Sequence, residues 1–361
     1  MPGVYISWPF CAQKCTYCNF ASGVFPRELE TVYASKLVQE IRASGWPWMP
    51  DTVYLGGGTP SQMDTEVLVR LLSSVPGWPW LEATMEAAPG TFDAARIDAW
   101  RDAGINRVSL GVQSFVDTEL RRTGRKHTAQ TVAEDVANLR AGGITDFNID
   151  LIAGLAGQTA ASWEWSLDAA LALDPPHVSV YMLEVDKDSR LGLEILNNGG
   201  RYGARDIPDD DAIAAMYERA VERLATAGIA RYEISNFARP GRQSRHNLKY
   251  WRLEPYLGFG ADAHSFAGGE RWQNVEMAQD YVAAASVRAE GGAANPAEER
   301  FFVGLRLSEG VEPTAEEWAA HRDAIDRFLA GGLLERDETH LRLTPRGILL
   351  SNEVFQEFLA A

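Results

Sequence analysis

The chain of 361 residues carries three cysteines, Cys11, Cys15 and Cys18, and all of them fall within eight consecutive positions. An odd number cannot close a disulfide framework. Thiols used for packing alone would scatter along the chain rather than gather in one segment. Long apolar runs are missing too: no uninterrupted stretch nears the roughly 18 residues that a bilayer span requires. No basic segment followed by an apolar one opens the chain, so a cytoplasmic protein with reduced thiols and no transmembrane segment is expected. Cations are in deficit, with 34 Lys and Arg against 50 Asp and Glu, a formal charge of −16 and a pI near 4.9. Such a field repels DNA, RNA and anionic membrane surfaces, which argues against a nucleic-acid partner.

What the chain does hold is an apolar content of 46%, enough for a sizeable core. Its length suits one large α/β barrel with an appendage. Short β-branched or apolar runs alternate with stretches of helical period. Strands are expected at Val4–Ser7, Asp51–Leu55, Leu81–Ala87, Arg107–Leu110, Asp146–Leu151 and Val178–Leu183. Helices are expected at Glu28–Ser44, Met63–Ser73, Thr91–Ala103 with Thr91 as N-cap, Thr128–Ala141 and Ala160–Leu173. Six βα-type units by about position 185 predict an α/β fold built on a partial (β/α)6 barrel spanning residues 1–230.

The pattern then changes. Asp188–Asp210 reads as a long loop rich in Gly, Asn and Asp, and Asp211–Ala227 as a helix. Residues 231–295 read as an aromatic-rich, irregular extension ending in a linker at Gly291–Pro296. Residues 296–361 give short helices, two strand-like runs at Leu333–Arg336 and Leu341–Thr344, and a last helix opened by Pro345. Helices followed by a hairpin predict a small α+β domain of winged-helix type.

In parallel βα architectures chemistry gathers at the carboxyl ends of the strands. The cysteines follow the first strand with spacings of three and then two residues, so one tight loop can turn three thiolates toward a common point. Three thiolates are one short of a closed zinc site, and no fourth Cys or His lies nearby. They suit an iron–sulfur cubane whose fourth iron is left for another ligand. Gly56-Gly57-Gly58-Thr59 follows the second strand and lets main chain approach a polar ligand closely, although a glycine run also serves a bare turn. Glu86, Gln113 and Asp150 end the third, fourth and fifth strands, and Arg125 follows Gln113. Together they could grip a zwitterionic ligand; singly, each also reads as a surface pair or turn contact.

Cys11-x3-Cys15-x2-Cys18 with Tyr17 before the last cysteine resembles the cluster motif of the radical S-adenosylmethionine (radical SAM) superfamily. The resemblance implies a 4Fe-4S cluster held by Cys11, Cys15 and Cys18. It further implies S-adenosylmethionine held by Tyr5, Tyr17, Gly57, Gly58, Thr59, Glu86, Gln113, Arg125 and Asp150. The motifs in this order are similar to the oxygen-independent coproporphyrinogen III oxidase family. In the oxidases of that family a further cysteine stands two residues after the third, where this chain has Phe20. The departure points to the family's other branch, the HemW haem chaperones, and His246-Asn-x-x-Tyr250-Trp251 resembles a motif of that branch. What this implies is haem bound by His246 with Tyr250 and Trp251 covering the macrocycle, and delivery to haem-acceptor proteins, membrane-associated respiratory proteins among them. His264 is a second, weaker candidate. Radical decarboxylation of coproporphyrinogen, or radical chemistry on another small substrate, stands as the alternative. Without its cluster, the Cys11–Cys18 loop is expected to lose a fixed shape.

Overall fold

The computed structural model describes residues 1–359. Six strands, β1 (Gly3–Trp8), β2 (Thr52–Gly57), β3 (Glu82–Ala87), β4 (Arg107–Gln113), β5 (Asp146–Ala153) and β6 (His177–Met182), lie side by side in sequence order and all in parallel. Helices return the chain between them: α1 (Arg27–Ala43), α2 (Thr65–Leu72), α3 (Ala94–Asp102), α4 (Asp117–Thr123) with α5 (Ala129–Ala141), and α6 (Ala160–Ala172). After β6 come α7 (Arg190–Leu196) and α8 (Asp210–Thr226). The expected six-unit partial barrel is thus present.

Polar side chains start these helices, except α1 and α4, whose N-caps are Pro26 and Val116. Asp64 accepts from the main-chain N–H of Glu66 and Val67, Asp209 from that of Ala212, and Thr128 and Thr159 form capping boxes. At α3 the cap is Asp93, which accepts from Arg96 N, and not Thr91. Thr91 Oγ1 bonds Ser61 Oγ and Ala88 O instead, tying the turn after β3 to the turn after β2.

Residues 231–295 do not stand apart from the barrel. β7 (Ala230–Arg231) and β8 (Asn236–Ala238) add to the β6 edge. After α9 (Arg245–Trp251), β9 (Tyr256–Phe259) pairs in parallel with β1. β10 (His264–Ala267), β11 (Glu270–Asn274), α10 (Ala278–Ala283) and β12 (Arg288–Ala293) follow, and the three strands extend that edge antiparallel. One sheet of twelve strands results, with β12 and β7 at its unpaired margins, so the barrel stays open.

Two readings of irregular chain need correction here. The segment read as a loop contains α7, capped by the Ser189 side chain. The segment read as a linker, Gly291–Pro296, begins with the last three residues of β12, a strand every residue of which is exposed, as suits a margin strand without an apolar face. The remaining elements are α11 (Pro296–Gly304), α12 (Ala315–Ala320), α13 (Arg322–Ala330), the hairpin β13 (Leu334–Arg336) and β14 (Leu341–Leu343), α14 (Pro345–Leu349) and α15 (Ser351–Gln356). Residues 360 and 361 of the expected C-terminal domain lie outside the described residues.

Strand alternation sorts the barrel interior. On β5, Phe147, Ile149 and Leu151 are buried among the core hydrophobes, while Asn148 and Asp150 point the other way into the lumen. There Asn148 Nδ2 donates to Ser109 Oγ at 2.8 Å, Ser179 Oγ at 3.0 Å and Asp150 Oδ1 at 2.6 Å. Asn148 Oδ1 lies 2.6 Å from His177 Nδ1, whose Nε2 lies 2.8 Å from Tyr232 OH. These side chains form a paired polar network wrapped in an apolar shell, and a network so paired stays rigid, while Thr84 Oγ1 and Arg107 Nε, also buried, have no hydrogen-bond partner.

Candidate active site at the barrel mouth and the closed floor

The cysteine loop leaves β1 at the carboxyl end of the sheet. Main-chain bonds fasten it on several sides. Cys11 N donates to Gly23 O at 2.8 Å, Gly23 N to Pro9 O at 2.9 Å, and Thr16 N to Thr123 O at 3.1 Å. Leu191 N, at the start of α7, donates to Thr16 O at 2.8 Å, so α7 braces the loop from outside. All three thiols are free and half-buried. Cys11, the neighbour of Thr59, has its thiol pushed up by burial. Among the described residues no three His, Cys, Asp or Glu side chains converge on a single metal ion. A cubane takes one thiolate for each of three irons, and the free, half-buried thiols of one braced loop fit that demand.

The glycine turn lies against this loop. Gly58 N donates to Trp8 O and Thr59 N to Phe10 O, both at 2.8 Å. A Cβ at Gly58 would sit 2.6 Å from Phe10 O and 2.8 Å from Phe10 C and N. Gly58 is therefore required for the glycine turn to lie on the cysteine loop, a packing reason separate from any ligand. Gly57 N donates to Glu86 Oε2 at 3.1 Å, and Tyr54 OH donates to Glu86 Oε1 at 3.0 Å.

The sequence-predicted residues fall at two depths. Tyr17, Gln113 and Arg125 stand at the mouth with the cysteines and the glycine turn. Arg125 Nη2 donates to Tyr17 OH at 3.3 Å, and the Gln113 amide lies by Gly111 beside the Arg125 guanidinium. Gln113 adopts a positive φ of 70°, which marks the point where β4 ends and turns. Two buried atoms here, Gln113 Oε1 and Arg125 Nε, have no hydrogen-bond partner. Unpaired buried polar atoms are costly, and an acceptor and a donor side by side fit a polar, zwitterionic ligand at this place.

Tyr5, Glu86 and Asp150 lie deeper. Asp150 sits within β5 rather than at its end, because the strand runs on to Ala153. Burial raises its pKa, against the bonds from Ser179, Asn148 and Ser109. Burial also pushes Glu86 up to about 7, with the Asp150 charge adding to the effect and the Tyr54 and Gly57 bonds opposing it. Sequence reading missed Tyr54, Ser109, Asn148 and His177, which support these carboxylates. The available signal was polar residues at alternate positions of strands otherwise apolar on both faces.

His246 lies apart from the mouth. It stands on α9 at the opposite end of the strands, where β2 and β3 begin. Its Nδ1 lies 2.9 Å from Thr52 Oγ1 and its Nε2 2.8 Å from Tyr250 OH, and the residue is 1% exposed. Both ring nitrogens are engaged by hydroxyls and the ring has no exposed edge in this conformation. Burial depresses its pKa to about 3, so the ring is neutral. Tyr250 packs edge-on against Tyr256, and the Trp251 ring lies under the Arg306 guanidinium at 4.3 Å, so neither aromatic frames an open pocket. Glu82 fixes the helix by accepting from Ser244 Oγ, Arg245 N and His246 N at 3.1, 2.8 and 3.0 Å. Helix α9 is the floor of the barrel. The six residues of β1 put that floor roughly 17 Å below the mouth. His264 lies on β10, exposed and on the far side of β9 from the barrel strands.

An open parallel barrel with three thiols on the loop after β1, a glycine turn after β2 and unpaired polar atoms beyond β4 defines a radical SAM protein, and the description "Radical SAM superfamily" matches residues 5–170. The "HemN C-terminal domain" matches residues 293–350. Within the superfamily the chain belongs to the HemN/HemW family. It is 34% identical to the heme chaperone HemW of Bacillus subtilis over 99% of both chains. It is 33% identical to the Escherichia coli protein of that name, covering 99% of this chain and 98% of the other. To that of Mycobacterium tuberculosis it is 36% identical, covering 99% and 94%. Among solved structures, coproporphyrinogen III oxidase (HemN) from Escherichia coli superposes with a TM-score of 0.82 at 21% identity, covering 99% of this chain and 89% of that one. That likeness speaks for the fold alone. Among the described residues no helix is long and apolar enough to cross a membrane.

Proposed function

We propose that this chain is a haem chaperone of the radical SAM type, working in the cytoplasm, which binds haem and passes it to acceptor proteins. Cys11, Cys15 and Cys18 hold a 4Fe-4S cluster at the mouth. Gly57, Thr59, Tyr17, Gln113 and Arg125 hold S-adenosylmethionine beside it, with Tyr5, Glu86 and Asp150 beneath. When loaded, the cluster supplies one-electron reduction of the sulfonium group. The chain's own part is to fix the ligand's charged ends and to keep water from the space between the glycine turn and Arg125.

The observation that carries the reading is Phe20. It stands two residues after Cys18, where the resemblance gives the oxidases a further cysteine, and the residue is 64% exposed. A phenyl group offers neither a proton nor a thiolate to a porphyrinogen, but it does offer an apolar surface. Near-full-length similarity to proteins named heme chaperone HemW supports the same conclusion.

The test is an anaerobic titration of the cluster-loaded chain with haem, followed by addition of an apo haem protein. Saturable growth of a Soret band at one haem per chain, then its migration to the acceptor, is the expected result. A band that grows without saturation, or haem that never leaves, overturns the proposal.

A further inference from the structure

We propose that the floor end of the barrel is a peripheral docking face for an anionic lipid bilayer, seated through Met49, Trp78 and Leu81 with the arginines around them on the lipid phosphates. The proposal goes beyond the chaperone reading and does not depend on it. Two turns at this end repeat one short pattern, Trp46-Pro47-Trp48-Met49 before β2 and Trp78-Pro79-Trp80-Leu81 before β3. Trp80 is buried, and Trp46 and Trp48 pack in part against the core, so each turn is anchored. Met49, Trp78 and Leu81 instead face solvent at 68%, 65% and 55% exposure, and Met1 at 72%. Main-chain bonds hold the three segments side by side: Asp51 N donates to Pro2 O at 3.1 Å, and Leu81 N to Asp51 O at 2.8 Å. Large apolar side chains gathered on anchored turns mark a binding surface, not ordinary solvent-facing chain.

Charge selects the occupant. The helices run from mouth to floor, and their ends sort charge along that axis. Acids fill first turns at the mouth: Glu28 and Glu30 of α1, Glu66 of α2, Asp210 and Asp211 of α8. Arg42, Arg70 and Arg140 stand in the last turns of α1, α2 and α5, at the floor. The stretch Arg239–Arg252, which crosses the floor, adds five cations and no acid. Of these, Arg239, Arg242, Lys249 and Arg252 are matched by Asp174, Asp146, Asp51 and Glu309, and the terminal amine by Glu254. Arg101 is shared by Asp98 and Asp102. Among the described residues Arg42, Arg70, Arg140 and Arg245 form no ion pair; Arg42 meets Ser74 Oγ, and Arg140 the carbonyls of Leu173 and Asp174. This end is therefore cationic in a chain of net −16. The repulsion expected from the summed charge holds for the mouth and not for the floor.

A bilayer of anionic lipids complements such a face. Indole rings settle at headgroup level, aliphatic side chains enter the acyl boundary, and guanidinium groups meet phosphates. The acidic mouth is repelled by the same surface. The barrel then stands floor-down, with α9 toward lipid and the cysteine loop toward water.

The test sediments the full-length, cluster-loaded chain with vesicles of phosphatidylcholine and phosphatidylglycerol in equal parts, and with vesicles of phosphatidylcholine alone. The unaltered chain should bind the anionic vesicles ~10-fold or more tightly than the neutral ones, and leave them as salt is raised. Met49→Ser/Trp78→Ser and Arg42→Glu/Arg70→Glu should each weaken that binding ~10-fold or more, with cluster content and Tm confirming the fold. Trp165→Ser, which removes an exposed indole from the middle of α6, should bind like the unaltered chain. No sedimentation with anionic vesicles, or undiminished binding in both floor variants, overturns the proposal. Floor variants that slow haem delivery to an apo haem protein in lipid-free solution, with vesicle binding absent, would overturn lipid docking and assign the face to a protein partner. Haem uptake measured without vesicles tests the chaperone reading separately.

Discussion

His246 Nδ1 lies 2.9 Å from Thr52 Oγ1, a bond between the helix that closes the barrel floor and the first residue of β2. The other ring nitrogen meets Tyr250 OH, one turn along the same helix. A neutral imidazole has one donor and one acceptor, and two hydroxyls satisfy both in either tautomer. The ring is a bolt between the floor and the barrel wall.

Removing that bolt should show in stability. His246→Ala leaves Thr52 Oγ1 and Tyr250 OH without the ring and opens a void, so the cost is about 2–4 kcal/mol in urea unfolding. Unchanged stability would show that the ring does not tie the floor to the wall.

Glu86 gives a pH signature. Its carboxyl ionises near 7 in the folded chain against about 4.5 unfolded, because it is buried. Between those values the folded state holds a proton that the unfolded state releases, so protonation favours folding as pH falls. Above 7 the desolvated carboxylate carries its full penalty. The unfolding free energy of the unaltered chain minus that of Glu86→Gln should therefore rise as pH falls from 8 toward 5, with a slope of at most about 1.4 kcal/mol per pH unit. A flat difference over that range contradicts the assignment.

Gly58→Ala should act on the cluster through packing. Its Cβ would meet the Phe10 main chain, which cannot rotate away as a side chain would. The glycine turn and the cysteine loop must then part. Iron retained per chain after anaerobic reconstitution should drop at least several-fold, with a lower Tm. Full cluster loading in this variant would show that the two turns do not depend on each other.

Arg125→Lys tests the nucleoside site. A lysine cannot present a planar fork that reaches Tyr17 OH while also offering a second donor to a ligand. Equilibrium dialysis of S-adenosylmethionine against the cluster-loaded variant should show ~10-fold or greater weakening with the cluster spectrum unchanged. Equal affinity would place the ligand elsewhere.

The barrel was legible because its strands are buried on both faces and its helices carry side-chain caps, both of which leave marks in composition and spacing. Cys11, Cys15 and Cys18 were legible because adjacency in sequence is adjacency in space within one loop. α7 was not, since seven residues give too few turns for a helical period to rise above a Gly- and Asn-rich surrounding. β12 was hidden for the opposite reason: a fully exposed margin strand has no alternation to read. The burial of His246 was not legible because a histidine among aromatics looks alike whether it frames a pocket or seals a floor. Burial decides between the two, and burial depends on Thr52 and Glu82, both more than 160 positions away.

The measurement that bears most directly on the whole account sets two substrates against one preparation. Anaerobically reconstituted chain is incubated with haem in one vessel, and with coproporphyrinogen, S-adenosylmethionine and a reductant in another. Saturable haem uptake, with no decarboxylated porphyrinogen after many cluster equivalents of time, is the predicted result. Conversion to protoporphyrinogen would contradict it, and would make Phe20 a tolerated substitution in an oxidase.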